Sequence, residues 1–245
     1  MRRLLLLALL AACGGGSQDA EITNQAIKRV LIHAYVGSVQ ITTHASGDAL
    51  LEADTSEPND LDEFMIFEVT DGVLNVRPID AALEWEMDIE LTLPELVEVE
   101  VTARRANVQV EGSYKLLNLT ANAGDLDVHL ERVGSGTIHS EKGRVAFSTD
   151  QATLAGEFAV SSATGNVNAT LPANYRGGLL LTTENGTLNI PEHKDLHLKG
   201  GGNQKTLLGY AGEALTDKER ADGQTTTVFK ATSTSGTVTL HLAED

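Results

Sequence analysis

Histidine residues are the first side chains in this sequence that could bind a metal ion or act in catalysis. His193 and His197 have H-x₃-H spacing, which on an α-helix would place both rings on one face, as in zinc sites. Pro191 and the strand-like pattern before it argue against a helix there. Three other histidines fall in or beside predicted strands, namely His129, His139 and His241. We therefore expect the histidines at the surface and predict no metal site.

Acidic residues could bind calcium if the chain brought them together. Asp125 and Asp127 alternate onto one face of a predicted strand, and residues 52–63 form a predicted acidic loop around Pro58-Asn59. Carboxylate oxygens are suitable ligands for Ca²⁺. The calcium-binding repeat G-G-x-G-x-D is absent, however. The interpretation that we favour is a solvated acidic surface, and calcium binding by residues 52–63 stays open.

Catalytic motifs are missing from the sequence. It contains no G-x-S-x-G elbow, no P-loop and no dinucleotide-binding fingerprint. Arg104 and Arg105 are adjacent, so on a strand they would point to opposite faces, unless one of them marks a bend. Aromatic residues, which favour carbohydrate binding, make up only 4% of the chain. We predict a protein that is not an enzyme and has no catalytic residues or cofactor; the alternative is a polysaccharide-active β-helix enzyme, a lyase or hydrolase.

Cys13 is the only cysteine, so an intrachain disulfide is excluded. It follows a basic start, Met1-Arg2-Arg3, and an apolar run from Leu4 to Leu10 that is too short to span a bilayer and is typical of a signal peptide. The residues Leu10-Ala11-Ala12-Cys13 resemble the lipobox of bacterial lipoproteins. The resemblance implies removal of a signal peptide, residues 1–12, and lipidation of Cys13. The alternative is an ordinary secretory signal with an incidental cysteine.

The glycine-rich residues after Cys13 predict a flexible tether over residues 13–25. In the lipoproteins of diderm bacteria an aspartate directly after the lipidated cysteine favours the inner membrane; Gly14 here implies the outer membrane, if the host has one. The net charge of −17 disfavours nucleic acid and anionic headgroups as partners. We expect membrane contact through the lipid anchor alone, and an envelope protein or polysaccharide as the partner.

A short motif recurs along the chain: glycine, any residue, an aliphatic residue, any residue and an apolar residue. From Ala106 its starts fall at 106, 124, 143, 165 and 186, which are 18, 19, 22 and 21 residues apart. The alternation predicts a strand whose aliphatic residues face inward, and the glycine permits a positive φ or a close backbone approach at the bend. Val145, Val167 and Leu188 would then occupy equivalent inward positions in neighbouring coils.

Two short strands per period of about 20 residues are typical of a β-solenoid. The fold class predicted is all-β, a single-domain parallel β-solenoid spanning residues 26–245, and the lack of a strict six-residue repeat favours a right-handed one. A β-sandwich is the alternative, because short strands can also pair as hairpins. Residues 199–224 are glycine-rich and polar, and they are interpreted as a long insertion.

The order of these features resembles the bacterial putative-adhesin family of β-strand-repeat proteins, whose function is unassigned. The residues that carry the resemblance are the alternating strand Asp88 to Pro94, the glycine motifs, the pair Leu171-Pro172, the turn Asn185-Gly186 and the final strand Ser235 to Val238. The resemblance implies a non-enzymatic β-repeat domain with no catalytic residues, acting in adhesion or other envelope interactions.

The lipobox yields a direct test. Cys13→Ser removes the thiol that the lipid would modify, so we expect this variant to lose metabolic labelling by a fatty-acid analogue and to accumulate unprocessed or soluble. Labelling and membrane fractionation of wild type and variant check this. Unchanged labelling and fractionation in Cys13→Ser would contradict the lipoprotein assignment.

Overall fold

The computed structural model describes residues 17–22, 27–45, 49–55, 65–80, 86–190, 192, 196–200, 205–212 and 228–243, and their regular secondary structure is all β-strand. Within these residues seventeen strands form one mixed sheet. The strands are β1 (Ser17–Ile22), β2 (Arg29–His44), β3 (Ala49–Thr55), β4 (Met65–Thr70), β5 (Val73–Pro78), β6 (Glu86–Pro94), β7 (Val97–Ala121), β8 (Leu126–Ser140), β9 (Val145–Thr149), β10 (Phe158–Ser162), β11 (Val167–Leu171), β12 (Gly177–Thr183), β13 (Leu188–Asn189), β14 (Leu196–Gly200), β15 (Thr206–Ala211), β16 (Val228–Ser233) and β17 (Val238–Leu242). The prediction of an all-β chain is confirmed for these residues. None of them belongs to a helix long and apolar enough to cross a membrane.

Parallel pairing stacks the repeat strands into layers. Each layer has one strand segment before the repeated bend and one after it; the segments before it form stack A, and those after it form stack B. In spatial order, layer 1 is β5 with β6, layer 2 is β2, layer 3 is residues 97–112, layer 4 is residues 113–121 with 126–130, layer 5 is residues 132–140 with β9, layer 6 is β10 with β11, layer 7 is β16 with β17, and layer 8 is β12 with β13.

Strand β7 is long enough to contribute to two layers. Its first part pairs with β2 and its last part with β8. Backbone hydrogen bonds join the two parts, from the Asn122 N–H to the Ala103 carbonyl and from the Leu96 N–H to the Ser113 carbonyl. The strand therefore connects layers 3 and 4 without a separate turn.

The predicted pairing is right in the centre and wrong at both ends. The repeat strands pair in parallel, so hairpin pairing of the repeats in a β-sandwich is wrong. At layer 1, however, β4 and β3 add to β5 and β6 in antiparallel fashion, and β1 adds to β3. At layer 8, β15 pairs antiparallel with β12, and β14 with β15. Antiparallel strands can follow a short hairpin, which lets a nearby segment cover an edge that would otherwise expose its backbone groups.

The layers do not follow the order of the chain. Layer 2 comes first in sequence but lies between layers 1 and 3, and the C-terminal strands β16 and β17 lie between layers 6 and 8. Val145 and Val167 are direct neighbours, as predicted, but Val238 separates Val167 from Leu188. The expected adjacency of Val167 and Leu188 is therefore wrong, because a later repeat of the same pattern fits between them.

A row of buried hydroxyl groups joins layers 4 to 8 at the bend. In each case a serine or threonine three residues before the bend glycine donates to the glycine carbonyl of the adjacent layer. The donor and acceptor pairs are Ser140 with Gly124 (3.1 Å), Ser162 with Gly143 (2.8 Å), Ser233 with Gly165 (2.8 Å) and Thr183 with Gly236 (3.2 Å). We call this row the hydroxyl ladder. Its four side chains are at most 2% exposed.

Each glycine of the ladder is required by the close approach of the layers. A Cβ at Gly165 would overlap the carbonyl oxygen of Gly143, the acceptor of the Ser162 hydroxyl. Gly124 also has a φ of 139°, which side chains rarely tolerate. Both conditions agree with the role predicted for the repeated glycine.

The interior between the two stacks is apolar and tightly packed. Phe147 of stack B lies with its ring centroid 5.0 Å from that of Phe158 and 5.2 Å from that of Phe229, both in stack A. These rings are at most 2% exposed. Three of the five phenylalanines thus meet at layers 5 to 7, where aromatic contacts add to the burial of aliphatic columns.

Three stretches outside the repeats differ from their sequence prediction. Residues 17–22, inside the predicted tether 13–25, pair with β3 as β1 through backbone bonds, which need no apolar side chain. Glu52 and Asp54 of the predicted loop 52–63 lie in β3, and residues 56–63 fall outside the described residues. Of the predicted insertion 199–224, residues 199–200 end β14 and 206–211 form β15.

The ladder predicts different costs for the same substitution at adjacent positions. Ser162 donates to the Gly143 carbonyl and accepts the Gly165 N–H at 2.8 Å. Ser162→Ala leaves both backbone groups buried without that partner, so we expect a loss of about 1–3 kcal/mol in the free energy of unfolding. Ser161→Ala, on the outward side of the same strand, should cost less than about 1 kcal/mol. Urea titrations of the two variants measure both; equal losses would contradict a structural role of the ladder.

Candidate functional site

The outward side chains of both stacks lie in columns. Because equivalent residues face one another across the parallel strands, each outward position has the equivalent residue of the next layer beside it. Thr120, His139 and Ser161 are successive members of one column in stack A. Asp127, Ala146 and Asn168 are successive members of one column in stack B. The candidate functional site is therefore an outward surface on which side chains form columns. Successive members of one column are about 4.8 Å apart, the spacing between adjacent layers.

Two histidines on this surface lie between a serine and a carboxylate. His139 Nδ1 lies 2.9 Å from Ser161 Oγ, and its Nε2 lies 3.1 Å from Glu141 Oε1. On stack B, His129 Nδ1 lies 2.9 Å from Ser148 Oγ, and its Nε2 lies 3.6 Å from Asp150. Both serines belong to the layer after the histidine, so the same arrangement arises twice from the stacking.

The serine, histidine and carboxylate order is that of a hydrolytic triad, but its surroundings differ from those of an active site. A triad acts beside backbone N–H groups free to stabilise an oxyanion, whereas residues 158–162 are in register with a parallel strand on each side. The Glu141 carboxylate is 55% exposed and lies in the bend that follows β8. The histidine and carboxylate do approach within hydrogen-bonding reach, but outside any buried cleft. The arrangement joins adjacent layers.

The acidic residues considered for calcium do not come together. Asp125 and Asp127 lie at the start of the stack B segment of layer 4, and β3, with Glu52 and Asp54, lies beyond layer 1. Four strand spacings separate them, about 19 Å. The Asp125 carboxylate instead accepts the Arg144 N–H at 2.8 Å. Among the described residues, no group of three or more His, Cys, Asp or Glu side chains could hold a metal ion.

Carboxylates do oppose one another at the layer 1 end. Glu52 faces Glu90, and Asp54 faces Asp88, across the antiparallel pair β3–β6. Like charges in directly opposed positions destabilise a sheet. The Ser38 hydroxyl donates a hydrogen bond to Asp88 Oδ1 at 2.5 Å, which offsets part of the repulsion between the opposed carboxylates.

The other candidate residues occupy separate places. Arg104 and Arg105 are both exposed where β7 passes from stack A to stack B, which agrees with the predicted bend. His197 lies in β14 with its ring centroid 4.7 Å from that of Tyr210, so it is on a strand, while His193 is outside the described residues. Cys13 is also outside them.

Sequence reasoning missed the residues of the hydroxyl ladder. The signal was present as S/T-x-x-G, from Ser140-x-x-Gly143 to Ser233-x-x-Gly236. In layers 2 to 4 alanine takes the serine position, at Ala34, Ala103 and Ala121. The motif was therefore hidden, because only half of the repeats carry the hydroxyl.

Among the described residues, Glu98, Tyr114 and Tyr175 have pKa values shifted by their surroundings. Lys115 Nζ lies 2.7 Å from Glu98 Oε1, and this hydrogen bond and charge lower the pKa of the exposed Glu98 carboxyl. Burial raises the pKa of Tyr114, whose hydroxyl donates to the Glu111 carbonyl at 2.8 Å. Burial also raises the pKa of Tyr175 to about 12. Within the described part of the chain the Tyr175 hydroxyl has no hydrogen-bond partner.

Comparison with known proteins gives matches to solved structures alone: no protein-family model and no curated protein matches the chain. The chain is similar to a "putative cell adhesion protein" from Clostridium sporogenes, with a TM-score of 0.48 and 11% identity over 94% of this chain and 100% of that chain. It is similar to a "putative adhesin" from Bacteroides fragilis, with a TM-score of 0.39 and 12% identity over 93% and 98% of the two chains. It is also similar to a "putative lipid binding protein" from Parabacteroides distasonis, with a TM-score of 0.30 and 12% identity over 92% and 97%.

Removal of the hydroxyl should change the free energy of unfolding in opposite directions at the two buried tyrosines, Tyr114 and Tyr175. Tyr175→Phe removes a buried oxygen without a partner, so we expect it to raise the free energy of unfolding at neutral pH by about 1 kcal/mol. Tyr114→Phe removes a donated hydrogen bond and should lower it by about 0.5–1.5 kcal/mol. Urea titrations at neutral pH check both, and a larger loss in Tyr175→Phe than in Tyr114→Phe would contradict this assignment.

A pH titration gives an independent test of Tyr175. Because its folded pKa of about 12 lies above the unfolded value of about 10, the unfolded chain loses this proton first. Stability should therefore be constant with respect to this group below about pH 10 and fall between about pH 10 and 12. Tyr175→Phe should reduce that fall, leaving the part contributed by Tyr114. An unchanged alkaline loss in the variant would contradict the burial of the Tyr175 hydroxyl.

Proposed function

We propose that this chain is a lipid-anchored cell-envelope protein whose β-solenoid domain, residues 26–245, acts without catalysis in adhesion or other envelope interactions. The observation that carries the proposal is the eight-layer stack, which displays outward side chains in columns on both stacks. A surface of this kind suits an extended partner better than a small substrate.

The rigidity of the layers supports a binding role. The hydroxyl ladder fixes the bends of layers 4 to 8 against one another. The side chains of Asn107, Asp125 and Asn166 each accept a backbone N–H of the following layer at 2.8–2.9 Å. Side chains on such a scaffold lose little conformational entropy when a partner binds. Affinity can then come from many weak contacts.

The contacts that both ring nitrogens of His129 and His139 make within the fold support a function without catalysis. His129 and His139 both use Nδ1 for a serine of the next layer and direct Nε2 to a carboxylate. A hydrolase or lyase would need such groups in a concave, water-excluding site beside the substrate. The alternative function, a polysaccharide lyase or hydrolase, rests on the same Ser161–His139–Glu141 contacts.

The proposed location follows from the N-terminus of the sequence. Removal of residues 1–12 and lipidation of Cys13 would tether the domain to a membrane, the outer membrane if the host has one. With a net charge of −17 the domain itself should avoid anionic headgroups, so the lipid would supply the membrane contact. An envelope protein or polysaccharide would then be the partner.

One experiment separates the binding role from the enzymatic alternative. The lipidated full chain, purified from the envelope, is incubated with envelope polysaccharides and envelope extract, and both the release of sugar fragments and the captured components are measured. We expect envelope components to be captured without depolymerisation, in wild type and in His139→Ala alike. Thr120→Ala, the neighbouring position of the same column, is the matched control. Depolymerisation that is lost in His139→Ala and kept in Thr120→Ala would overturn the proposed function.

A further inference from the structure

Within the described residues, the outward side of stack B carries no Asp, Glu, Lys or Arg in layers 6 to 8. The eight outward residues described there carry amide, hydroxyl and imidazole groups: Asn166, Asn168 and Thr170 in layer 6, Thr237, Thr239 and His241 in layer 7, and Thr187 and Asn189 in layer 8. Thr239, which lies between Asn168 and Asn189, is buried, with 7% of its surface exposed. We call these eight residues the uncharged face.

Charged residues lie on other parts of the same surface, although layer 2, with Ser38, Gln40 and Thr42, is also uncharged. The same side of stack B carries Asp88 and Glu90 in layer 1 and Asp125 and Asp127 in layer 4. In layers 6 and 7, the outward side of stack A carries an ion pair between Lys230 and Glu157. In a chain with a net charge of −17, an uncharged strip next to these residues requires an explanation.

One column of the uncharged face is used by the fold. Asn166 Oδ1 accepts the Thr237 N–H at 2.9 Å, and the hydroxyl oxygens of Thr237 and Thr187 lie 3.0 Å apart. These residues join layers 6, 7 and 8. Their identity is therefore explained by interlayer hydrogen bonding.

The next column is different. Asn168 and Asn189 lie in β11 and β13, on either side of Thr239, and within the described residues neither amide has a hydrogen-bond partner. Asparagine is disfavoured inside strands, and threonine would serve the sheet better at both positions. Two amides that weaken strand propensity and bond to nothing in the fold remain available to a ligand.

We propose that the uncharged face binds a neutral polysaccharide, an inference that rests on the proposed non-enzymatic function and names its partner. Amide and hydroxyl groups can each donate to and accept from sugar hydroxyls. The outward positions repeat about every 4.8 Å across the strands and about 6.8 Å along them, so an extended sugar chain meets several such groups in succession. The acidic residues elsewhere on the chain disfavour an anionic polymer.

The face implies weak contacts that act together. A hydrogen bond exposed to water contributes about 0.5–1.5 kcal/mol, so a single sugar should bind poorly and a polymer measurably. The eight residues include no Phe, Tyr or Trp, so stacking of a sugar ring would be limited to the imidazole ring of His241. Binding should also be insensitive to salt, because no charged group takes part.

The test is affinity electrophoresis of the full-length protein through gels that contain neutral dextran, β-1,3-glucan, mannan or hydroxyethylcellulose, with polygalacturonate as the anionic comparison. The test variant is Asn168→Leu with Asn189→Leu, which removes both free amides and keeps side chains that strands accept. The matched control is Gln40→Leu with Gln109→Leu, the same column in layers 2 and 3. Thermal unfolding of both variants checks that each is folded.

We expect at least one neutral polymer to retard the wild type, with about a tenfold weaker effect on the asparagine variant and less than about a twofold change in the glutamine variant. Retardation by polygalacturonate alone, by none of the polymers, or equally in both variants would overturn the inference. None of these outcomes shows catalysis, so the proposed function would stand or fall separately.

Discussion

The hydrogen bond from a buried hydroxyl to the glycine carbonyl of the adjacent layer is the interaction on which the rest of the structure depends. At the bends of layers 4 to 8 the backbone turns inside the protein, where an unpaired N–H or carbonyl costs about 1–3 kcal/mol. Serine or threonine at the ladder position satisfies both groups at once, and glycine alone lets the layers approach closely enough for that bond. The register of layers 4 to 8, and with it the outward columns of those layers, is fixed by this contact, whereas layers 2 to 4 carry alanine at the same position.

The spatial order of the layers has a consequence for folding and for the ends of the stack. Because layer 7 is made of β16 and β17, which follow layers 6 and 8 in the sequence, those two layers gain their common neighbour only after residues 228–242 have been added. Strand β2, which forms the first layer along the chain, is likewise enclosed between layers 1 and 3. Both terminal repeats are thereby paired on two sides, while short antiparallel strands cover the ends, where an exposed parallel edge would invite aggregation.

Much of this arrangement could be predicted from the sequence. The alternation around Val145 and Val167 gives the inward positions, and the repeated glycine gives the bend. The order of the layers could not be predicted, because Val238 and Leu188 sit in nearly identical motifs and either could follow Val167. The contact of His139 with Ser161 was equally hidden, since it depends on a register between residues 22 positions apart. The chemistry of the surface is thus set by layer order, which local sequence does not encode.

The uncharged face depends on the same order, since Asn168, Thr239 and Asn189 become neighbours only if layer 7 separates layers 6 and 8. Disulfide cross-linking tests this most directly. In a Cys13→Ser background, cysteine pairs are placed at Ser161, Thr232 and Thr182, successive members of one outward column. Adjacent layers lie about 4.8 Å apart, within reach of a disulfide, whereas two layers span about 9.6 Å, which is too far. We expect Ser161→Cys with Thr232→Cys, and Thr232→Cys with Thr182→Cys, to cross-link on oxidation, and Ser161→Cys with Thr182→Cys to stay reduced. Cross-linking of that third pair would contradict the insertion of the C-terminal strands and the surface derived from it.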